Sequence, residues 1–415
     1  MNNRVLITIC LGCIVVCGCS PAGSGWTEDA LSTSVVVSQP QESAPAEAAP
    51  VVVVPDEVAP DTTEVLRTEY ALVGLRGVAV IGGWSHVGRG AVLHRGEQDQ
   101  RVPALRRRLD QLVVDDADSL LYDPVLGAAV QGFQLRHGLA PDEVVGRRTI
   151  AALDVEAVAR AHQLALTLDR LSLLPPDRGS RYVLVNVAAS TLAMVVDDSV
   201  HGVMKAIVGR RDRPTPTIMS SITQIELNPY WNIPESLARR DVLPHLREDP
   251  EYWRKQDIRV FANWENDAAE LDPALIDWAA IEPEDLVYKL RQEPGPLNPL
   301  GRIKFLFDND HSVFIHDTPS RSRFDARSRY FSSGCVRIED PDALTEFLLQ
   351  GAEAPLRAKI AAARRGDDPK RFNLPHPVPV YLVYWTAWVD GEGVVHFRDD
   401  VYGRDGAAPV VTTGP

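Results

Sequence analysis

The chain has 415 residues, a length that predicts about two or three domains. Hydrophobic residues at 45% and charged residues at 24% are ordinary for globular protein and leave material for a sizeable core. The formal net charge is −14, with no block of basic residues and no repeat of solenoid period, so no phosphate-neutralising surface is implied and nucleic acid is excluded as a partner.

The first residues, "MNNRVLITICLGCIVVCGCS", carry one positive charge, Arg4, then an apolar run from Val5 to Val16. That run is long enough for a signal-peptide core and short for a membrane-spanning helix. It ends in "VCGCS", which resembles a lipobox, although Cys17 stands where Ala or Ser is usual. The resemblance makes Cys19 the lipidated first residue after cleavage, and Ser20 behind it implies a periplasmic protein anchored to the outer membrane. An ordinary secretory signal and an uncleaved anchor are the other readings. Cys10, Cys13, Cys17 and Cys19 all lie here, so the exported body keeps Cys335 alone and no disulfide within it is possible. An unpaired thiol in an oxidising compartment is a liability unless it is buried or used.

Residues 20–65 are rich in Ala, Pro, Ser, Val and Glu and read as a disordered tether. Residues 66–100 receive no assignment, though "GLRGVAVIGGW" (74–84) has the composition of a strand. In 101–153, Val102, Leu105, Leu109 and Leu112 follow helical spacing, and Leu126, Val130 and Phe133 do so again behind Asp123-Pro124, a helix-start signal. "GLAPDEVVGRRTIAAL" then gives a turn and a third short helix. Phe133-Gln134, Gly138-Leu139, Asp142, Gly146 and Thr149 occur in the order found in the three-helix peptidoglycan-binding domain, which this segment resembles. The same residues also suit a plain helical bundle, with Phe133 and Leu139 in its core. A connector spans 154–179, with an amphipathic helix carrying Leu164, Leu168 and Leu171 and stopped by "PPDRGS".

From 181 the apolar period changes to two, and strands are expected in "RYVLVNVAASTLAMVVDD", "SVHGVMKAIVGR", "GRIKFLF", "SVFIHD" and "HPVPVYLVYWTAWVD". A helix is expected at "DPDALTEFLLQG", with Asp340 as cap and Pro341 at its first position. The expected architecture is α+β and multidomain: a small helical domain, then a mainly β catalytic domain over 180–400 with an insertion at about 245–297.

Cys335 sits in "YFSSGCVRIED". A Gly beside a nucleophile permits a tight turn, and such a turn can aim backbone N–H groups at a developing oxyanion. Upstream, His316 ends an apolar strand, a rigid place for a base that pairs with the thiol and lowers its pKa. Arg337 offers a forked donor for a carboxylate. Each has a plainer reading: a lone Cys is commonly an apolar filler, a lone His structural, an Arg a surface charge. Yet "SSGCVR" is not a core sequence. His201, His245, His311 and His316 lack the H-x-x-x-H spacing of a zinc peptidase, and no acidic ligand set accompanies them.

The His316 to "SSGCVR" spacing resembles the L,D-transpeptidase family, in the larger periplasmic branch whose motif is Ser-Ser-Gly-Cys-Val-Arg. Further stretches resemble it too: "VGRRDRPTP" (208–216), "NPYWNIPESLARRDVLP" (228–244), "DPALIDW" (272–278) and "PGPLNPLGRIKF" (294–305). The resemblance implies acyl transfer between peptidoglycan stem peptides. Cys335 would be the nucleophile and His316 its base. Gly334, Cys335 and Ser333 would form the oxyanion hole. Arg337 and Ser332 would position stem carboxylates, and Phe314 and Trp231 would line the cleft. It implies a thioester acyl-enzyme, a 3→3 cross-link, and no cofactor or metal. Asp317 is a poor orienter of His316, because strand neighbours face opposite sides, so a backbone carbonyl is expected there. Partners would be donor and acceptor stem peptides, with a membrane through the lipid anchor. L,D-carboxypeptidase action, lipoprotein attachment to murein, and a non-catalytic murein-binding lipoprotein are the alternatives.

Overall fold

The computed structural model describes residues 60–110, 120–265, 267–406 and 412–413. Cys19, the leader over 1–19, the tether as far as 59, and Leu112 lie outside them. Residues 60–65, expected in the tether, and most of 74–84, expected as strand, belong instead to α1 (Pro60–Val80). The β-branched Val78, Val80 and Ile81 favour a strand locally. Tertiary contact overrides it: Leu72 buries itself against Ala161 and Leu164 of α5 (Ala157–Leu171), and Glu64 pairs with Arg178 at 2.8 Å.

The small helical domain contains α2 (Val102–Arg108), α3 (Pro124–Arg136) and α4 (Arg147–Leu153). Asp123 caps α3 by accepting from the Leu126 N–H at 2.8 Å, with Pro124 in the first turn where no amide hydrogen is needed. Leu105, Leu126, Val130, Phe133 and Leu153 form its core. The polar residues of its motif hold the fold together. Gln134, only 1% exposed, donates to Asp142 Oδ1 at 2.9 Å and Val144 O at 3.0 Å, and its Oε1 accepts from Glu143 N at 3.0 Å.

The β domain is built from β1 (Arg181–Asn186), β2 (Thr191–Val196), β3 (Ser199–Gly209), β4 (Ile218–Leu227), β9 (Ile303–Phe307), β10 (Ile315–His316), β11 (Tyr330–Ser332), β12 (Val336–Ile338) and β13 (Lys370–Val383). They line up as β11-β3-β12-β10-β9-β4-β13-β1-β2, and β2 also pairs with β3, so the sheet curls round on itself. Pro375, Pro377 and Pro379 cannot donate to a ladder, and the β13–β4 register shifts between Asn373 and Val378. A hairpin of β14 (Ala387–Val389) and β15 (Val395–Phe397) follows, and β16 (Thr412–Thr413) adds to β4.

Register fixes the two faces of the central strands. Ile225, Phe305, Ile315 and Val336 are cross-strand partners, all fully buried in the main core with Leu344 and Leu348 of α9 (Pro341–Leu348) and Ile360 of α10 (Ala354–Arg364). Truncating Phe305 there would cost about 3–5 kcal/mol. As expected, Asp340 caps α9, accepting from Ala343 N at 2.9 Å. The alternate residues Glu226, Lys304, His316 and Arg337 form a second register row, which strand geometry sends to the opposite face.

The insertion is a subdomain with its own core. It starts at β5 (Trp231–Asn232), earlier than the expected 245. β5 joins β6 (Ile258–Phe261), β7 (Glu270–Leu271) and β8 (Lys289–Gln292) in a separate sheet of order β5-β8-β6-β7. Helices α6 (Glu235–Leu237), α7 (Leu243–Glu248) and α8 (Tyr252–Lys255), with a π-turn at Ala238–Val242, accompany it. Ile233, Leu243, Leu246, Val260 and Leu290 are buried together, apolar positions that the surrounding polar residues hide in a linear reading.

Candidate active site

Cys335 lies one residue before β12, in line with Phe314, since Ile315 pairs with Val336 and the Val336 N–H donates to Phe314 O at 3.0 Å. Alternation puts Cys335, Arg337, Phe314 and His316 on one face. Cys335 and His316 are diagonal neighbours across this parallel strand pair. The loop before the cysteine is tightly held. Gly334 has φ +121°, a conformation a side chain would strain, and its carbonyl accepts from Thr215 Oγ1 at 2.7 Å. Thr215 is fully buried and in turn accepts from Gly209 N at 2.8 Å. Gly209 admits no side chain, because a Cβ there would stand 2.3 Å from Arg213 O.

His316 is 2% exposed, and its Nδ1 lies 2.5 Å from the backbone carbonyl of Asp317. A carbonyl only accepts, so Nδ1 carries the hydrogen and Nε2 keeps its lone pair. The Asp317 carboxylate faces away, accepting from Arg302 N at 2.9 Å and pairing with Arg321 at 3.1 Å. Burial, and next the charge of Arg337, push the imidazole down to about 3, against the carbonyls of Asp317 and Leu300. His316 is thus a neutral base.

The expected ion pair between Cys335 and His316 is not formed. No hydrogen bond joins the sulfur to the ring; the thiol points at Ser312 O, 3.9 Å away. Cys335 keeps part of its surface in solvent, but protein crowds the sulfur, and that burial pushes the thiol up. The Phe314 N–H, Lys304 and Arg337 oppose the rise. The physical reason is that a buried imidazole without a carboxylate cannot hold a proton and so cannot act as counter-ion.

Other candidates divide. The Arg337 side chain has no hydrogen bond or ion pair among the described residues, and its buried Nε lacks a partner, so its charge is free to meet a ligand. Phe314 is half-buried beside the cysteine. Ser332 differs from expectation. It is 1% exposed, donating to Cys335 O at 2.5 Å and accepting from Gly334 N at 3.2 Å, so it shapes the loop and offers nothing to a substrate. The same bond occupies the Gly334 N–H expected in the oxyanion hole, whereas the Cys335 N–H has no partner among the described residues. The Ser333 hydroxyl accepts from Arg213 at 3.0 Å. Trp231 is partly buried and packs against the core of the insertion.

Sequence reasoning missed two groups. Lys304 stands across from His316 in register, its Nζ 3.8 Å from the centre of the Phe314 ring. Its only sequence signal is a charge inside the alternating "GRIKFLF", which usually marks a solvent face. Arg213 grips Asp241 of the insertion with two bonds, 2.6 and 2.9 Å, as well as Ser333. It lies in "VGRRDRPTP", among several like charges.

Comparison with known proteins agrees with this layout. Residues 180–360 match the family model described as L,D-transpeptidase catalytic domain, and residues 98–153 match one described as "Putative peptidoglycan binding domain". A "Putative L,D-transpeptidase" of Haemophilus influenzae is 32% identical over 246 residues, covering 59% of this chain and 48% of that protein. The chain therefore spans about half the length of the curated relative it matches. Among solved structures, an L,D-transpeptidase from Stackebrandtia nassauensis is 12% identical with TM-score 0.27, covering 70% of this chain and 97% of its own. L,D-transpeptidase 3 from Mycobacterium tuberculosis is 13% identical with TM-score 0.24, covering 48% and 60%. At such scores these two likenesses carry no argument. Residues 180–360 are thus similar to the L,D-transpeptidase catalytic-domain family, and residues 98–153 to the peptidoglycan-binding one.

Proposed function

We propose that the protein is a cysteine-dependent L,D-transpeptidase that joins peptidoglycan stem peptides by 3→3 cross-links. The supporting observation is the placement of Cys335 and a neutral His316 on one face of adjacent parallel strands, with the free Arg337 beside them, inside a domain of this family. The thiol proton passes to His316 Nε2 as sulfur attacks the carbonyl of the third stem residue. The carbonyl π electrons move to oxygen, where the unpaired Cys335 N–H receives them. When the intermediate collapses, the C–N bond breaks, the imidazolium protonates the departing D-Ala amine, and a thioester remains. An amine from a second stem attacks that thioester and gives a proton to His316. The new amide forms as thiolate leaves and is reprotonated. The energy comes from the amide first cleaved, so no cofactor is consumed. Arg337 binds a stem carboxylate, and the helical domain holds the chain on murein. The lipobox-like leader, with Cys19 as the lipidation site, supports a periplasmic enzyme on a lipid anchor.

Incubation with purified tetrapeptide muropeptides and product analysis by mass spectrometry tests this. Wild type should give cross-linked dimers, and Cys335→Ala should give none while keeping its fold. Dimers from the variant would refute the assignment. Tripeptide without dimer would make the enzyme a carboxypeptidase.

A further inference from the structure

The row Glu226–Lys304–His316–Arg337 runs across four neighbouring strands, and Arg371 of β13 continues it beside Glu226. A charged residue between two β strands normally reaches water. Lys304 barely does: its side chain is only 14% exposed and its ammonium lies 3.8 Å from the centre of the Phe314 ring. Phe314 is the residue in line with Cys335, so the ammonium sits over the strand position next to the sulfur. Its nearest carboxylate, Glu226, is 3.9 Å away and is shared with Arg371 at 3.1 Å. Lys304 is therefore only loosely neutralised, Glu226 being its one ion-pair partner among the described residues. Burial lowers its pKa, while the charges of Glu226 and Cys335 favour its protonated form.

We propose that Lys304 is a positioning residue for the transfer reaction. Seated on the ring of Phe314, with Glu226 only a distant partner, it keeps a positive charge over the point where sulfur becomes anionic, the task that the buried imidazole cannot perform. This rests on the reading of Cys335 as nucleophile. When the thiol proton moves to His316, two neighbouring cations, Lys304 and Arg337, flank the new anion. They also disfavour imidazolium, so the proton is passed on readily to the leaving amine. The charged groups facing the site are thus Lys304 from β9 and Arg337 from β12, with the neutral, titratable His316 from β10 between them, Arg210 and Arg323 beyond Arg337, and Glu226 and Arg371 beyond Lys304.

The test is the pH profile of iodoacetamide alkylation at Cys335 in the full chain, followed on the Cys335 peptide by mass spectrometry so that the leader cysteines do not contribute. Lys304→Met should move the midpoint up by about one pH unit and slow alkylation about tenfold near pH 8. Lys304→Arg should keep it within about threefold of wild type. Glu226→Gln removes a nearby negative charge and should move the midpoint down. General loosening of the strand would shift both neutral variants the same way, so opposite signs separate charge from structure. Coincident profiles for Lys304→Met and wild type overturn the proposal, as does an upward shift for Glu226→Gln. If Lys304→Met fails to fold, the sign of the Glu226→Gln shift decides. Retained activity in Cys335→Ala would sink the enzymatic reading and leave the alkylation result standing as a separate fact.

Discussion

At the scale of single residues the site is built from two groups held neutral. Burial raises the Cys335 thiol and lowers the His316 imidazole, so in the proposed reaction proton transfer would accompany attack and not precede it. A consequence for stability follows from linkage. The folded imidazole binds a proton only near pH 3, whereas an unfolded one binds near 6.5, so the unfolded state takes up more protons between those values. The neutral imidazole is fully compatible with folding above about 6.5, and stability is lost as pH falls towards 3, by roughly 4 to 5 kcal/mol in all. Urea unfolding of wild type and His316→Gln from pH 7 to pH 4 should therefore show a steeper acid loss in wild type. Parallel slopes would mean that His316 is protonated in the fold. His137 in the helical domain, pushed down to about 2 by burial first and then by Arg160, adds to the acid sensitivity of both proteins equally.

At the scale of elements the insertion and the Cys335 loop are tied through one arginine. Arg213 bonds twice to Asp241 in the π-turn and once to Ser333, two residues before the cysteine. Its hydrogen bond lowers the Asp241 carboxyl, so the tie persists well into the acid range. Asp241 is 42% exposed on its side chain, and the pair is worth about 1 kcal/mol or less. That is too little to hold the subdomain's fold, which its own core maintains, but enough to bias its position. Asp241→Ala should raise hydrogen exchange in residues 238–246 above that of the β-domain strands. It should also lower kcat/KM for muropeptides while leaving the Cys335 alkylation midpoint in place. Unchanged exchange would make the contact incidental.

At the scale of the whole molecule, the helical domain is packed on the terminal hairpin of the β domain. Arg398 donates to Arg136 O at 2.9 Å, His137 stacks on Phe397 at 5.4 Å, and Arg160 lies 4.5 Å over the same ring. α5 is fastened to the hairpin by Thr167 Oγ1, which donates to Ala387 O at 2.6 Å. Few carboxylates serve this junction, so carbonyl oxygens and ring faces satisfy its guanidinium groups. Arg398→Ala should cost about 1.5–3 kcal/mol. In calorimetry the helical domain of the variant should melt further below the β domain than in wild type. An unchanged melting profile would show that the two domains are coupled elsewhere.

Local patterns settled much of this in the sequence. Asp123 and Asp340 ahead of prolines announce α3 and α9, because capping and a missing amide hydrogen are properties of neighbouring residues. The period-two runs announce the strands, and Gly334-Cys335 with His316 upstream announces the site. Other features needed the folded chain. Val78 to Ile81 read as strand until α5 supplies a partner for Leu72. Ser332 reads as a contact residue until its hydroxyl is found turned inward. Lys304 reads as a solvent-facing charge until register sets it across from His316. Spacing along the chain reports what a residue's near neighbours permit. Which strands lie side by side, and hence which charges share a face and lose their water, depends on contacts between residues far apart in sequence, and only the tertiary structure decides that.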